Sequence, residues 1–295
     1  MALLTIVPPA QEPVTLGNMK NFLRISPNFT QDDALISSWI TAAREWCEAF
    51  CERAFIFQTK RLLMDFFPGY VDFKLAGQRV SSPFVSGSNA VLVGIRYAIA
   101  LPWPQVRQIV DFIYQDASGG QQSITPIFST GDQDLDPNVY CIQDLDSQPA
   151  RLTPLFGQMW PVARVVVNAV QVDYVTGYYG SIPVQMTAGS AVVTSSFVFL
   201  PRDVGAAISI PNAAGANVAL STTIESVDDN GVATLAAPAT TNTGAQTTNF
   251  GVLPQSVLAA IMLLVSYWYE NREPQGEDVP FGVKALLYPF RDLRF

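Results

Sequence analysis

Residues 32–54 read DDALISSWITAAREWCEAFCERA, and they carry the clearest structural pattern in the chain. Large apolar side chains recur there every three or four positions, which is the period of an α-helix. Those positions are Leu35, Ile36, Trp39, Ile40, Ala43, Trp46, Cys47 and Phe50. Arg44, Glu45 and Glu48 take the opposite face in this pattern. We therefore expect one long amphipathic helix whose apolar stripe, with its two tryptophans, packs against the core or against another subunit.

Two further helices are predicted, one before the long helix and one near the C-terminal end of the chain. A short one precedes residue 30, and the other begins at Pro254 and runs to about residue 272. The stretch 257–269, VLAAIMLLVSYWY, is apolar on nearly every side but is shorter than the roughly 20 residues that span a bilayer. We interpret it as a buried core helix and expect no membrane partner.

The middle of the chain has a sequence pattern typical of β-strands. From residue 55 to 179, short apolar runs alternate with Gly, Pro and Asp, and DASGG at 116–120 has the composition of a hairpin turn. Residues 185–251 differ from their surroundings because they are rich in Ala and Thr and poor in charge. Strand-sized pieces at 191–200, 207–210, 219–227 and 231–235 predict a small β domain inserted there.

The sequence as a whole predicts an α+β fold, with a small helical bundle, a β-rich middle and an inserted small β domain. The bundle combines the N-terminal helices with the C-terminal helix. We expect residues 1–184 and 252–278 to form the core, 185–251 the inserted domain, and 279–295 a C-terminal arm. The arm has eight large apolar side chains in a short segment, so it must lie on another surface.

Composition removes several classes of function. The 295 residues include no His, so Ser-His and Cys-His nucleophile pairs and imidazole metal ligands are excluded. The formal charge of -8 opposes binding to a phosphate backbone, which needs clustered Lys and Arg. Hydrophobic residues make up 49% of the chain and charged residues 14%, so the chain has more apolar surface than one core needs. Part of that surface is expected to meet another subunit.

The candidate chemical motifs do not support a catalytic or metal site. The Asp-rich run 132–136 has the carboxylate spacing of a calcium loop but has Pro137 where that loop needs Gly. The three cysteines are too few for a zinc or iron–sulfur site, and we interpret them as buried small apolar residues. Walker A, dinucleotide and esterase signatures are missing from the sequence. We expect no enzyme activity, no cofactor and no metal.

Several ordered pieces of the sequence resemble one family. These are Val14-Thr15-Leu16 with Lys20 and Arg24, Asp32-Asp33 opening the long helix, Cys51-Glu52-Arg53-Ala54 closing it, Tyr114-Gln115-Asp116, Trp160-Pro161, Val172-Asp173-Tyr174-Val175-Thr176-Gly177-Tyr178, Trp268-Tyr269-Glu270-Asn271 and Tyr288-Pro289-Phe290-Arg291. In this order they resemble the head-tail connector, or adaptor, proteins of tailed double-stranded DNA bacteriophages. Residues 185–251 resemble a β module of phage tail-fibre and tailspike proteins.

The resemblance implies a structural virion protein at the head-tail interface, assembled in the host cytoplasm. It implies a homo-oligomeric ring, with twelve copies expected, that joins the portal at the capsid vertex to the next neck or tail protein. Such a ring forms part of the conduit for DNA ejection, and its acidic charge suits double-stranded DNA that passes without specific binding. The inserted domain would face capsid or fibres.

The C-terminal arm is the predicted partner-binding segment, on the portal or on a neighbouring subunit. The expected anchors and polar clamp are Phe281, Leu286, Leu287, Tyr288, Phe290 and Arg291. Two alternatives stay open at this point. One is a fibre- or tailspike-associated protein that binds or cleaves glycans, and the other is a monomeric minor tail-completion protein.

Overall fold

The computed structural model describes residues 2–68, 98–127, 136, 139–155, 158–228, 230–271 and 279–291. The predicted α+β fold with a β-rich middle is confirmed. The chain divides into two compact units. The first takes its residues from Met1–Ile6, Thr59–Pro102 and Gln108–Val175, and the second from Val7–Gln58, Trp103–Arg107 and Thr176–Phe295. The Asp-rich run 132–136 lies, except for Asp136, outside the described residues.

The described strands and helices are short, apart from two long helices. The strands are β1 (Ala2–Val7), β2 (Gln58–Met64), β3 (Ile99–Leu101), β4 (Val106–Gln115), β5 (Gln121–Ser123), β6 (Thr125–Ile127), β7 (Tyr140–Asp144), β8 (Ala150–Thr153), β9 (Val170–Thr176), β10 (Tyr179–Val184), β11 (Ala207–Gly215), β12 (Val218–Val227), β13 (Ala233–Leu235) and β14 (Gln246–Gly251). The α-helices are α1 (Leu16–Phe22), α2 (Asp33–Cys51), α3 (Gln255–Glu270) and α4 (Phe281–Leu287), and short 3₁₀ turns lie at Pro201–Asp203 and Tyr288–Phe290.

The first unit is built on two sheets. One has the strand order β1-β2-β9-β4-β5, and the other has the order β3-β8-β7-β6. Strands β6 and β7 are parallel, whereas β4 and β5 form an antiparallel hairpin with Gln115 opposite Gln121. An aromatic cluster lies in this unit's core, where the ring of Phe67 stacks on Trp160 at 5.1 Å between centroids.

The predicted hairpin turn at 116–120 is confirmed, and Asp116 holds it together. Its Oδ1 accepts hydrogen bonds from the backbone N–H groups of Ser118 (2.9 Å) and Gly120 (2.8 Å). Oδ2 accepts one from the Gln122 side chain at 2.8 Å. The hydrogen bonds from the Ser118 hydroxyl and from Gln122 lower the pKa of Asp116 to about 2, because they favour the charged carboxylate.

The second unit contains the helices, and its core lies between α2, α3 and α4. The predicted long helix is confirmed as α2, which ends where Glu52 adopts the left-handed conformation at φ 51°. Ile36, Ile40, Ala43, Cys47 and Cys51 form its buried stripe and meet the apolar face of α3. The helix at 257–269 belongs to the core as predicted, through one buried face formed by Val257, Ala260, Ile261, Leu264 and Val265. No described helix is long and apolar enough to cross a membrane.

Two charged residues of α2 do not lie where the sequence pattern placed them. Arg44 and Glu48 are buried rather than solvated. Arg44 donates to Glu12 (Nε to Oε2, 2.8 Å) and to Glu48 (Nη1 to Oε2, 2.9 Å). Glu48 also accepts from the backbone N–H of Phe55 at 2.7 Å. Periodicity missed this because Glu12 and Phe55, which complete the network, lie outside the helix. A buried charge is tolerated when it is paired and hydrogen-bonded.

The segment 185–251 follows strand β10 of the second unit and ends with strand β14. These two strands are antiparallel partners, with Val184 opposite Gln246 and Tyr179 opposite Gly251. Strands β11, β12 and β13 confirm three of the four strands predicted in this segment. The predicted strand at 191–200 is wrong, because that stretch makes only isolated bridges at Val192 and Thr194. The core of this β module contains Phe197, Phe199 and Phe250 among other apolar residues.

Candidate assembly surfaces

The C-terminal arm packs on its own chain through one face of α4. Val283 and Leu287 are completely enclosed in the core formed with α2 and α3. The Sγ of Cys51 lies 3.7 Å from the carbonyl oxygen of Leu287, to which it donates a weak hydrogen bond. Leu286 and Phe290 are half-buried against the same core. Leu287, one of the predicted anchors, therefore presents no surface to a partner in this conformation.

Two other predicted anchors stay largely exposed on the arm. Phe281 is 78% exposed and Tyr288 is 52% exposed. Single apolar residues on a surface need no special explanation, but here two large ones are exposed within eight residues of chain. These are the arm residues that the structure leaves available for docking.

Tyr288 belongs to an aromatic surface that joins the arm to α2. The ring of Phe50 stacks on Trp46 with centroids 5.2 Å apart, and Tyr288 meets Phe50 edge-on at 5.8 Å. The guanidinium of Arg291 lies over the same Phe50 ring, 5.4 Å from its centroid. We call Trp46, Phe50, Tyr288 and Arg291 the arm–helix patch. It brings together a residue predicted at a subunit interface and two predicted on the arm.

Trp39, the other predicted interface residue, is not part of this patch. It is half-buried and meets Tyr269 of α3 edge-on, with ring centroids 6.0 Å apart. The hydroxyl of Tyr269 donates to Asp32 Oδ2 at 2.9 Å and so joins α3 to the start of α2. Trp39 thus contributes to packing within the chain while keeping part of its ring at the surface.

An apolar groove lies between α1 and α3 in the second unit. Its volume is about 420 Å³, and its lining is uncharged: Pro13, Val14, Asn18, Asn21, Phe22, Gln255, Leu258 and Met262. Leu263, also on α3, is exposed. A helix that is apolar on nearly every side is normally covered on every side, so this face of α3 is a second surface suited to protein contact.

A buried ion pair joins the β module to the strand β4. Arg107 Nη1 donates to Asp203 Oδ1 at 2.6 Å, and both side chains are buried. The guanidinium lies 5.6 Å from the ring centroid of Phe57 and 5.8 Å from that of Phe250. The backbone N–H of Leu200 donates to the other Asp203 oxygen at 2.9 Å. This contact, which sequence spacing did not reveal, holds the β module in place within the second unit.

The described residues offer no group of three or more metal-ligating side chains. The three cysteines are free thiols and buried, as expected. Burial raises the pKa of Cys51 and of Cys141 to about 12, because the thiolate loses its hydration. Such thiols are poor nucleophiles near neutral pH.

Comparison with known proteins agrees with the resemblance found in the sequence. Residues 13–80 match the family model described as Phage gp6-like head-tail connector protein. Among curated proteins, none matches this chain. The suspected likeness to head-tail connectors is thus confirmed over residues 13–80, which include α1, α2 and β2.

The fold resembles chains in solved neck structures of gene transfer agent (GTA) particles. One is described as "Neck of empty GTA particle computed with C6 symmetry", with 16% identity and a TM-score of 0.54. Another is described as "Neck of native GTA particle computed with C12 symmetry", with 15% identity and a TM-score of 0.50. Each match covers 100% of this chain and 97% of the other. At this identity the match shows a shared fold that extends over the β module as well as the helices.

Proposed function

We propose that this chain is a structural head-tail connector at the neck of a tailed virus-like particle. The match of residues 13–80 to the connector family carries this proposal. The full-length fold likeness to chains from GTA necks supports it. A structural rather than catalytic role also suits a chain without His and with inert, buried thiols.

We further propose that the protein works as a homo-oligomeric ring, with twelve copies as our expectation. In a cyclic ring, one surface of each subunit meets a different surface of the next. The α1–α3 groove and the arm–helix patch are two different apolar surfaces on one chain, as such an interface requires. The C6 and C12 symmetries used for the similar neck structures are compatible with twelve copies.

In this proposal the exposed face of the arm contacts the portal or an adjacent subunit. Phe281 and Tyr288 are the apolar anchors, and Arg291 supplies a polar contact at the edge. Leu286 and Phe290 support these anchors from the half-buried side, and Leu287 fixes α4 to the core. Removing the whole arm would also open the core, so exposed positions give the sharper test.

The test is the double variant Phe281→Ser/Tyr288→Ser, measured by binding to the portal protein and by negative-stain images of the product. We expect portal binding to fall at least tenfold, since two large apolar side chains lose their contact. The matched control is Val218→Ser. Val218 lies in the β module and is 52% exposed, as is Tyr288. Unchanged binding by the double variant would contradict the docking role of the arm. A purified protein that forms no ring, with or without portal, would contradict the connector proposal itself.

The same proposal makes the ring part of the conduit through which DNA leaves the particle. A net charge of -8 per copy disfavours tight contact with phosphates, so DNA can slide past without specific binding. Electrophoretic mobility of double-stranded DNA should be unaffected by the assembled ring at physiological salt. Tight, salt-sensitive binding would contradict this part.

We place the β module on the outside of the ring, where it can meet capsid or fibres. Val184 and Gln246 are directly opposite each other on β10 and β14, so a two-residue Asn-Gly turn can replace residues 185–245. The deletion also removes Asp203, the partner of buried Arg107, so it is combined with Arg107→Met. A chain shortened in this way should still assemble and should lose an outer partner in particle pull-down. Retention of every partner would show that the module has no binding role.

A further inference from the structure

Among the described strands, the N-terminal strand β1 forms one edge of its sheet. It lies at one end of the order β1-β2-β9-β4-β5, and its sequence ALLTIV contains no charged residue and no proline. Leu4 is 50% exposed and Val7 is 53% exposed, and Ile6 is also exposed. Apolar side chains are therefore exposed on both faces of one short strand.

Such an edge is unusual for a protein that stays alone in solution. Natural edge strands are protected by lysines, prolines or bulges, because their free N–H and C=O groups can pair with another chain. β1 contains no lysine and no proline, although its neighbour β2 carries Lys60. A bare apolar edge of six residues is a site where a second strand can add to the sheet.

The strand is held firmly in a fixed position. Lys60 is buried, and its Nζ donates to Thr5 Oγ1 at 2.8 Å. Because side chains alternate across a strand, this contact fixes the face that bears Thr5 and leaves Leu4 and Ile6 on the other face. A strand ordered in advance loses little entropy when it pairs.

The opposite end of the same sheet offers the complementary edge. Among the described strands it is β5, whose residues Gln121–Ser123 are all exposed and uncharged. Two copies that each carry a charge of -8 repel one another, and the strands β1 and β5 contain no charged residue that would add to this repulsion at the contact. A head-to-tail contact needs two different surfaces, and the two ends of one sheet supply them.

We propose that β1 of one copy pairs with the β5 edge of a second copy, so that the five-stranded sheet continues from subunit to subunit. This inference rests on the proposed ring and names one of its contacts. Each copy then donates one edge and accepts one edge, so the contact builds a ring where the rotation between copies closes, and not an isolated pair of subunits.

Disulfide cross-linking tests the contact in the assembled protein. The variants are Leu4→Cys/Gln121→Cys and Ile6→Cys/Gln121→Cys, which sample two registers on one face of the sheet. The background is low because the three native cysteines are buried. The matched controls are the single variants Leu4→Cys, Ile6→Cys and Gln121→Cys.

Under mild oxidation we expect at least one double variant to give a ladder of cross-linked species longer than dimers. Its cross-linked fraction should exceed that of the single variants at least tenfold. A second measurement uses Leu4→Asp/Ile6→Asp, which puts charges on the edge and should weaken self-association at least tenfold, whereas Val218→Asp should not.

The possible outcomes separate this inference from the proposed function. Intact rings that give no ladder with either pair, and that tolerate Leu4→Asp/Ile6→Asp, would overturn the β1–β5 contact and leave the connector proposal standing. Dimers alone from the single variant Leu4→Cys would show that β1 pairs with β1, which also overturns it. Protein that never assembles would overturn the connector proposal and this contact together.

Discussion

Asp203→Asn should destabilise the second unit strongly, because it leaves the charge of Arg107 buried without its counterion. The two side chains are 2.6 Å apart and both are buried. The guanidinium of Arg107 donates to one carboxylate oxygen of Asp203, and the N–H of Leu200 donates to the other. An Asn side chain has an NH₂ group in place of one of these oxygens, so one of the two donors would lose its acceptor. Breaking a buried ion pair by removing one partner costs about 3 to 5 kcal/mol, and we expect a loss of about 3 kcal/mol here.

The assay is urea unfolding followed by circular dichroism, with hydrogen exchange at β11 to localise the effect. A matched control is Asp144→Asn, which breaks the pair with Arg151 at 3.8 Å in a setting where both side chains are about half exposed. That pair should contribute less than about 1 kcal/mol, because water screens it. The double variant Arg107→Met/Asp203→Asn should recover part of the loss, since no unpaired charge remains.

Equal effects of Asp203→Asn and Asp144→Asn would refute this reasoning. They would mean that water reaches Arg107, so the contact does not hold the β module. A loss in Asp203→Asn that Arg107→Met does not relieve would point to the lost hydrogen bond from Leu200 instead of the charge.

Three further outcomes follow from local structure. The native thiols should resist alkylation at pH 8 until the chain is unfolded, because burial holds the pKa of Cys51 and Cys141 at about 12. Rapid labelling of the folded protein would contradict this prediction. The Asp116 carboxyl should titrate by NMR with a pKa of about 2. Its stabilisation of the hairpin is fully present above the ordinary pKa of an Asp, so it persists at pH 4 and is lost only as the pH falls toward 2. A titration midpoint near pH 4 would contradict this structure. Gly251→Ala should lower the melting temperature far more than Gly189→Ala. Both glycines have positive φ, but only at Gly251 would a Cβ strike the backbone, 2.0 Å from the carbonyl oxygen of Tyr178. Equal shifts in melting temperature would contradict this.

Local patterns in the sequence predicted the local elements well. The helical spacing of apolar residues identified α2 and α3, and the Asp-Gly composition identified the β4–β5 turn. The resemblance over residues 13–80 also came from ordered local pieces. The strand expected at 191–200 failed because its apolar residues face a small core without pairing into a ladder.

The contacts that define the candidate surfaces were not visible in local patterns. Arg44 and Glu48 lie opposite the apolar stripe in the sequence pattern, yet they are buried, paired with each other and with Glu12 and Phe55 outside the helix. Leu287 read as an anchor for a partner, yet it lies in the core of its own chain, while Phe281 of the same helix is exposed. Which apolar residues stay exposed depends on what each segment packs against.

The amino-acid sequence alone determined the helix and strand types, the lack of imidazole chemistry and the acidic charge, because these depend on composition and on spacing over a few residues. Only the tertiary structure decided that Arg107 meets Asp203, 96 positions away, and that β1 lies at the edge of its sheet. The physical reason is that a side chain's burial and its partners are set by segments distant in sequence, whose meeting no local period encodes.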